Sequence, residues 1–176
     1  MTITFFPTSP AAGALLQFPN ALFFSTVDQT LAAANTGYPV TYNATYLSSF
    51  IALQSGSTSK IQVDVGGIYN FQLSCQLKST NASGKDVHIW INRNGTVVNY
   101  SSHQYTISGA DNHFNVCWNF NIDLAAGEYL EMYWGATNNN VTLETTAAVA
   151  PFPATAAVVM AVNFVSALPD PRPTPP

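Results

Sequence analysis

An all-β, antiparallel sandwich with extended terminal arms is the fold this sequence predicts, on three observations. Apolar and polar residues alternate with a period of two in segment after segment, which is the mark of half-buried strands. Turn residues punctuate those segments at the short spacing expected of a sandwich or barrel. No stretch holds a helical period over three turns, and the β-branched and aromatic content agrees with strands.

The elements follow in order. Thr45 to Leu53 reads as a first strand, closed by the QSGSTS turn. Lys60 to Val65 points Ile61, Val63 and Val65 to one side. Gly66-Gly67 punctuates, and Tyr69, Phe71, Leu73, Cys75 and Leu77 then form an inward stripe. After the STNASGK loop, Val87, Ile89 and Ile91 alternate with His88, Trp90 and Asn92. Asn94-Gly95 is a hairpin signal, because a type I′ turn needs positive φ at both central residues. Val97 to Tyr100 is its expected return arm, and Gln104 to Ile107 a further short strand. His113 to Leu124 carries its apolar residues at even positions. Tyr129 to Trp134, Val141 to Thr145 and Ala156 to Val165 complete about ten expected strands.

Residues 1–24 read as an irregular arm rich in Pro, Ala and Phe, and 25–167 as the sandwich domain. Residues 168–176, LPDPRPTPP, read as an extended tail that can be neither helix nor central strand.

Only 8% of the 176 residues are charged, against about 25% in an ordinary soluble domain, while 47% are hydrophobic. Little repulsion opposes contact between such surfaces, so the composition favours association. The net charge is −4 and the five basic residues are scattered, which argues against nucleic acid as a partner. The first basic residue is Lys60, so the charged start of a secretory signal is missing. The apolar run Ala156 to Val162 is too short to span a bilayer, and a soluble protein made in a cytoplasm is expected.

Cys75 shares the inward stripe, whereas Cys117 lies on the polar face of its strand. Thiols pointing to opposite faces are expected to stay unpaired. His88, His103 and His113 have no second ligand at metal spacing, and no G-x-S-x-G elbow is present. Asp123, Glu128 and Glu131 read as turn and strand-edge charges. No cofactor and no enzyme activity are expected. Trp90, with His88 beside it, faces outward, as an interface anchor, a sugar-stacking platform or a ring covered by a neighbouring arm would.

The last strand is dry on both faces. Val158, Met160, Val162 and Phe164 occupy one phase; Ala157, Val159, Ala161 and Val165 occupy the other, broken only by Asn163. A two-layer sandwich should leave one face wet. The second face needs a cover, either another copy of the chain or an arm of the same one.

The order of GIYNFQLSCQL (67–77), DVHIWINRNGTVV (86–98), LAAGEYLEMYW (124–134) and a closing apolar strand resembles the jelly roll of the complement globular-head and tumour necrosis factor-like domains. Gly67, Tyr69, Phe71, Asn94, Gly95, Leu124, Gly127 and Glu128 carry the match, which spans roughly residues 28–166. The resemblance implies a homotrimer with the last strand near the threefold axis, and so an interface at Ala157, Val159, Ala161, Asn163 and Val165. Domains similar to this occur on bacteriophage particles. That implies a virion protein: a capsid decoration (cement) protein gripping the major capsid protein or another virion protein, or alternatively a receptor- or glycan-binding fibre tip. The arms, with Phe5, Phe6 and Pro7 at one end and Pro169 and Arg172 at the other, would then anchor it to the capsid.

Overall fold

A computed structural model describes residues 17–168, so the anchoring residues Phe5, Phe6, Pro7, Pro169 and Arg172 lie outside the described residues. Among the described residues there are fourteen strands and no helix. They are β1 (Asn20–Ser25), β2 (Gln29–Thr30), β3 (Tyr38–Pro39), β4 (Ala44–Ser49), β5 (Ile51–Leu53), β6 (Ile61–Val63) and β7 (Gly67–Ser79). Then come β8 (Lys85–Arg93), β9 (Thr96–Val97), β10 (His103–Ile107), β11 (His113–Leu124), β12 (Tyr129–Ala136), β13 (Val141–Leu143) and β14 (Val158–Ser166).

Two antiparallel sheets face each other. The first runs β4-β1-β14-β7, with β11 along the far side of β7 and β13 and β2 continuing beyond the end of β14. The second runs β10-β8-β12-β6-β5, with β3 and β9 on its flanks. The thirteen-residue β7 is the spine of the first sheet, and its odd residues from Tyr69 to Leu77 are buried as the alternation predicts. They meet Val87, Ile89, Ile91, Leu130, Met132 and Trp134 from the second sheet in one core.

Three turns show why these residues sit where they do. Asn94 (φ 50°) and Gly95 (φ 79°) both take the left-handed region, so the expected hairpin forms, although its return arm is only the two residues of β9. Gly67 lies under the Phe164 ring: a Cβ there would stand 2.3 Å from that ring and 2.8 Å from the Ser166 carbonyl. In the STNASGK loop, the buried Lys85 ammonium donates to Ser79 Oγ (2.7 Å) and to the carbonyls of Asn81 (2.9 Å) and Ser83 (2.6 Å). A buried cation is tolerable when its donors are matched in this way.

The structure departs from the sequence reading at three further places. Residues 20–24, the end of the stretch read as an irregular arm, belong to the strand β1 between β14 and β4. Thr45 to Leu53 is not one strand: Phe50 turns left-handed (φ 56°), and the chain passes from β4 in the first sheet to β5 in the second. His103 opens β10 and packs on Trp118 with ring centres 4.4 Å apart. Ala157, expected at the interface, is fully buried in the chain's own core. The strand starts only at Val158, and Ala157 bonds both ways, donating to the Ser25 carbonyl (2.9 Å) and accepting from the Gln76 N–H (2.9 Å). Alternation therefore begins at Val158, two residues into the apolar run that opens at Ala156.

Candidate functional site

Two surfaces collect the residues that the sequence singled out. The first is the outer face of the β4-β1-β14-β7-β11 sheet. Strand register arranges it in cross-strand rows. One row is Ala44, Phe24, Val159, Ser74 and Cys117. The next is Leu47, Leu22, Ala161, Gln72 and Asn119. A third is Ser49, Asn20, Asn163, Asn70 and Asn121. The β4-β1-β14 half of the first two rows is apolar; the β7-β11 half is amide, hydroxyl and thiol. Val159 and Ala161 are half-buried, Asn163 is exposed, and Val165 is 54% exposed at the strand's end. Shallow hollows of about 350 Å³ and about 330 Å³ meet at Ala161.

The amide half is internally satisfied. Asn70 Nδ2 donates to the side-chain oxygens of Asn119 and Asn121 (2.8 Å for Asn121), and Gln72 Nε2 donates to Asn70 Oδ1 (2.8 Å). Toward the far end the face turns ionic: Glu144 accepts from Lys78 (2.8 Å) and pairs with His113 (2.6 Å). The thiols sit as their phases imply. Cys75 is buried and Cys117 exposed on the outer face. Burial pushes the Cys75 thiol up to about 12. In a single chain, Cys117 is therefore expected to react with a maleimide at neutral pH, and Cys75 only on unfolding; two equivalents consumed by native protein would contradict this.

The second surface is on the other sheet. His88 and Trp90 point outward from β8, both half-buried. The Trp90 ring packs against Tyr133 with centroids 5.8 Å apart. A Cβ on Gly37 would fall 2.6 Å from Trp90 Cζ2, so only glycine lets that loop lie over the indole edge. The 35–37 segment thus covers one edge of the indole. Hollows of about 240 Å³ and about 390 Å³ flank it, sharing His88 and Trp90 as their common wall. Tyr100, which the sequence reading passed over, stands wholly exposed in the wall of the larger one. An exposed aromatic in the polar run NYSSHQ was the available signal.

The carboxylates hold turns together. Glu128 accepts from Arg93 (3.3 Å from Nε, with a second contact from Nη2), from Asn94 Nδ2 (2.7 Å) and from the Ala125 N–H (2.8 Å). Asp123 lies 3.4 Å from the same guanidinium. The Arg93 hydrogen bond, then the Ala125 amide, hold the Glu128 carboxyl down at about 2. A depressed carboxyl stabilises the fold above its unfolded pKa and loses that contribution as pH falls toward 2. Glu128→Gln should cost about 1 kcal/mol at pH 7, with wild type and variant converging near pH 2 in urea melts; a gap unchanged by pH would contradict the ion pair. Glu131, expected as a strand-edge charge, is instead buried within β12, where it accepts from Ser59 Oγ (2.6 Å). Among the described residues, no three His, Cys, Asp or Glu side chains gather as a metal ion requires.

Strand order and register define the class: an all-β, antiparallel jelly-roll sandwich, a fold shared with solved structures of other proteins. Among solved structures it is similar to the globular domain of zebrafish complement 1qA protein, with a TM-score of 0.55 and 12% identity over 85% of this chain and 99% of that one. It is also similar to Eiger TNF from S. frugiperda, with a TM-score of 0.56 and 12% identity over 89% of this chain and 98% of that one. No family model and no curated protein matches the sequence.

Proposed function

We propose that this chain is a non-enzymatic binding protein that works as a homotrimer, with its Val159–Ala161 face covered by neighbouring copies. The observation that carries the reading is the apolar block Phe24, Leu22, Leu47, Val159 and Ala161, contiguous across three strands and without a charged residue. Small residues at its centre let another backbone approach closely. Asn163 and Val165 continue the surface toward the chain ends. The likeness in fold to complement and tumour necrosis factor domains supports three as the number of copies.

Cys117 tests the cover. It lies beside Ser74 and Val159 in the same row. Alkylation should be at least tenfold slower at concentrations where the protein assembles than where it is diluted to monomers. Equal rates at both would place the interface elsewhere.

The finer reading is a bacteriophage capsid decoration (cement) protein, made in the host cytoplasm and carried on the virion. Its partner would be the major capsid protein or another virion protein. The charge-poor, amide-rich composition and the proline-bearing arms support it. Mixing the protein with capsids that lack it tests this: saturable rebinding, lost with residues 1–16, is expected, and no rebinding would overturn it. A second reading, a receptor- or glycan-binding head, is favoured by the groove around Trp90 and His88.

A further inference from the structure

The geometry points to the groove astride Trp90 as a site for a neutral saccharide, with Trp90 and Tyr100 as its stacking surfaces; this rests on the second reading above.

Chemistry selects the ligand class. The fifteen lining positions of the two hollows, with His88 and Trp90 counted in each, include no Asp, Glu, Lys or Arg. No permanently charged side chain there would compensate an anionic or cationic ligand. The polar groups present are amides and hydroxyls, from Asn35, Thr36 and Thr137 on one side and Asn99 and Ser102 on the other, with the His88 imidazole between. Aromatic faces beside uncharged donors and acceptors suit a ring with apolar C–H faces and equatorial hydroxyls.

The site is also held in place before any ligand arrives. Asn35 N–H donates to the Ala136 carbonyl (2.8 Å), fastening the 35–37 segment onto β12. Gly135 permits this, since a Cβ there would stand 2.6 Å from the Thr36 carbonyl oxygen. On the other side, the buried Ser101 hydroxyl donates to the Val98 carbonyl (2.7 Å) and accepts from the Ile91 N–H (3.0 Å). That anchor fixes the turn bearing Tyr100.

Tyr100 is the second, independent observation. It is fully exposed, yet its backbone is left-handed (φ 63°). A bulky residue in that region is strained, and strain of this kind gathers at ligand clamps. Within the chain the ring gains no packing in return. Val97, 55% exposed, extends the same apolar wall.

The test is titration of the full-length protein with neutral oligosaccharides (maltoheptaose, chitotriose, galactobiose) and anionic ones (sialyllactose, a heparin hexasaccharide), read by tryptophan fluorescence and saturation-transfer NMR. At least one neutral sugar should bind more than tenfold tighter than either anionic one. Tyr100→Ala, at an exposed position that leaves the fold intact, should weaken it about tenfold, and Trp90→Ala should weaken it further. The proposal is overturned by no neutral binding up to about 10 mM, by preference for the anionic sugars, or by binding that survives Tyr100→Ala unchanged. Ala161→Arg, on the opposite sheet, should keep saccharide binding whatever it does to assembly. Failure of the sugar site and failure of the trimer are therefore read separately.

Discussion

Ala161→Arg is expected to convert the assembled protein to monomers without unfolding it. Ala161 is the middle of the apolar block, flanked by Leu22 on β1 and Gln72 on β7. Its side chain points away from the core and is half-buried in the isolated chain, so a longer side chain has room there. In a trimer the same substitution enters every interface at once. An unpaired guanidinium buried between copies costs about 3–5 kcal/mol each, and three of them exceed what a typical interface can absorb. The melting midpoint of the separated chain should move by no more than about 0.5 kcal/mol equivalent, as for other surface changes. Asn163→Ala, at the exposed edge of the same phase, should leave assembly nearly unchanged. Size-exclusion chromatography with light scattering reads the outcome; a fully assembled Ala161→Arg protein would remove this face from the interface.

Phe71→Ala should be among the most damaging single truncations in the core. Phe71 is completely buried at the middle of β7 and stacks on Phe120 with centroids 5.4 Å apart and planes 5° from parallel. It bridges β14 on one side, opposite Val162, and β11 on the other. Truncating a buried phenylalanine costs about 3–5 kcal/mol, a large part of the 5–15 kcal/mol that holds a domain folded. Loss of the ring also loosens the strand from which the outer-face amides of Asn70 and Gln72 project. Urea denaturation at fixed protein concentration checks the value, since assembly itself adds stability. A loss below 1 kcal/mol would mean that the core does not centre on β7.

Much of this was legible in the residues. The long strands β7 and β11 showed themselves because one side of each meets the core and the other faces outward with polar side chains, so side-chain polarity reports orientation directly. β1 was hidden for the opposite reason. Ala21 and Phe23 face the core while Leu22 and Phe24 face outward, so NALFFS shows no alternation. The dryness that obscured the strand is the same dryness that marks the outer face. β2 and β3 are two residues each and too short to carry a period. The corner at Phe50 could not be read, because left-handed backbone at a non-glycine residue is imposed by the two sheets it joins rather than by its own preference. Of the surface residues, Trp90 was placed outward by phase; for Val159 and Ala161 phase separated two dry faces, and only the family resemblance pointed to theirs as the outer one. Ala157 was misplaced because phase says nothing about where a strand begins. Leu22, Leu47 and Tyr100 emerged only once register and exposure were known.

Sedimentation equilibrium of the full-length protein over a micromolar concentration range tests the central claim most directly. The account predicts a single species at three times the 18.9 kDa chain mass, falling to one chain mass for Ala161→Arg. A wild-type protein that stays at one chain mass throughout would contradict it, because the outer face of the β14 sheet would then have no copy of itself to cover it.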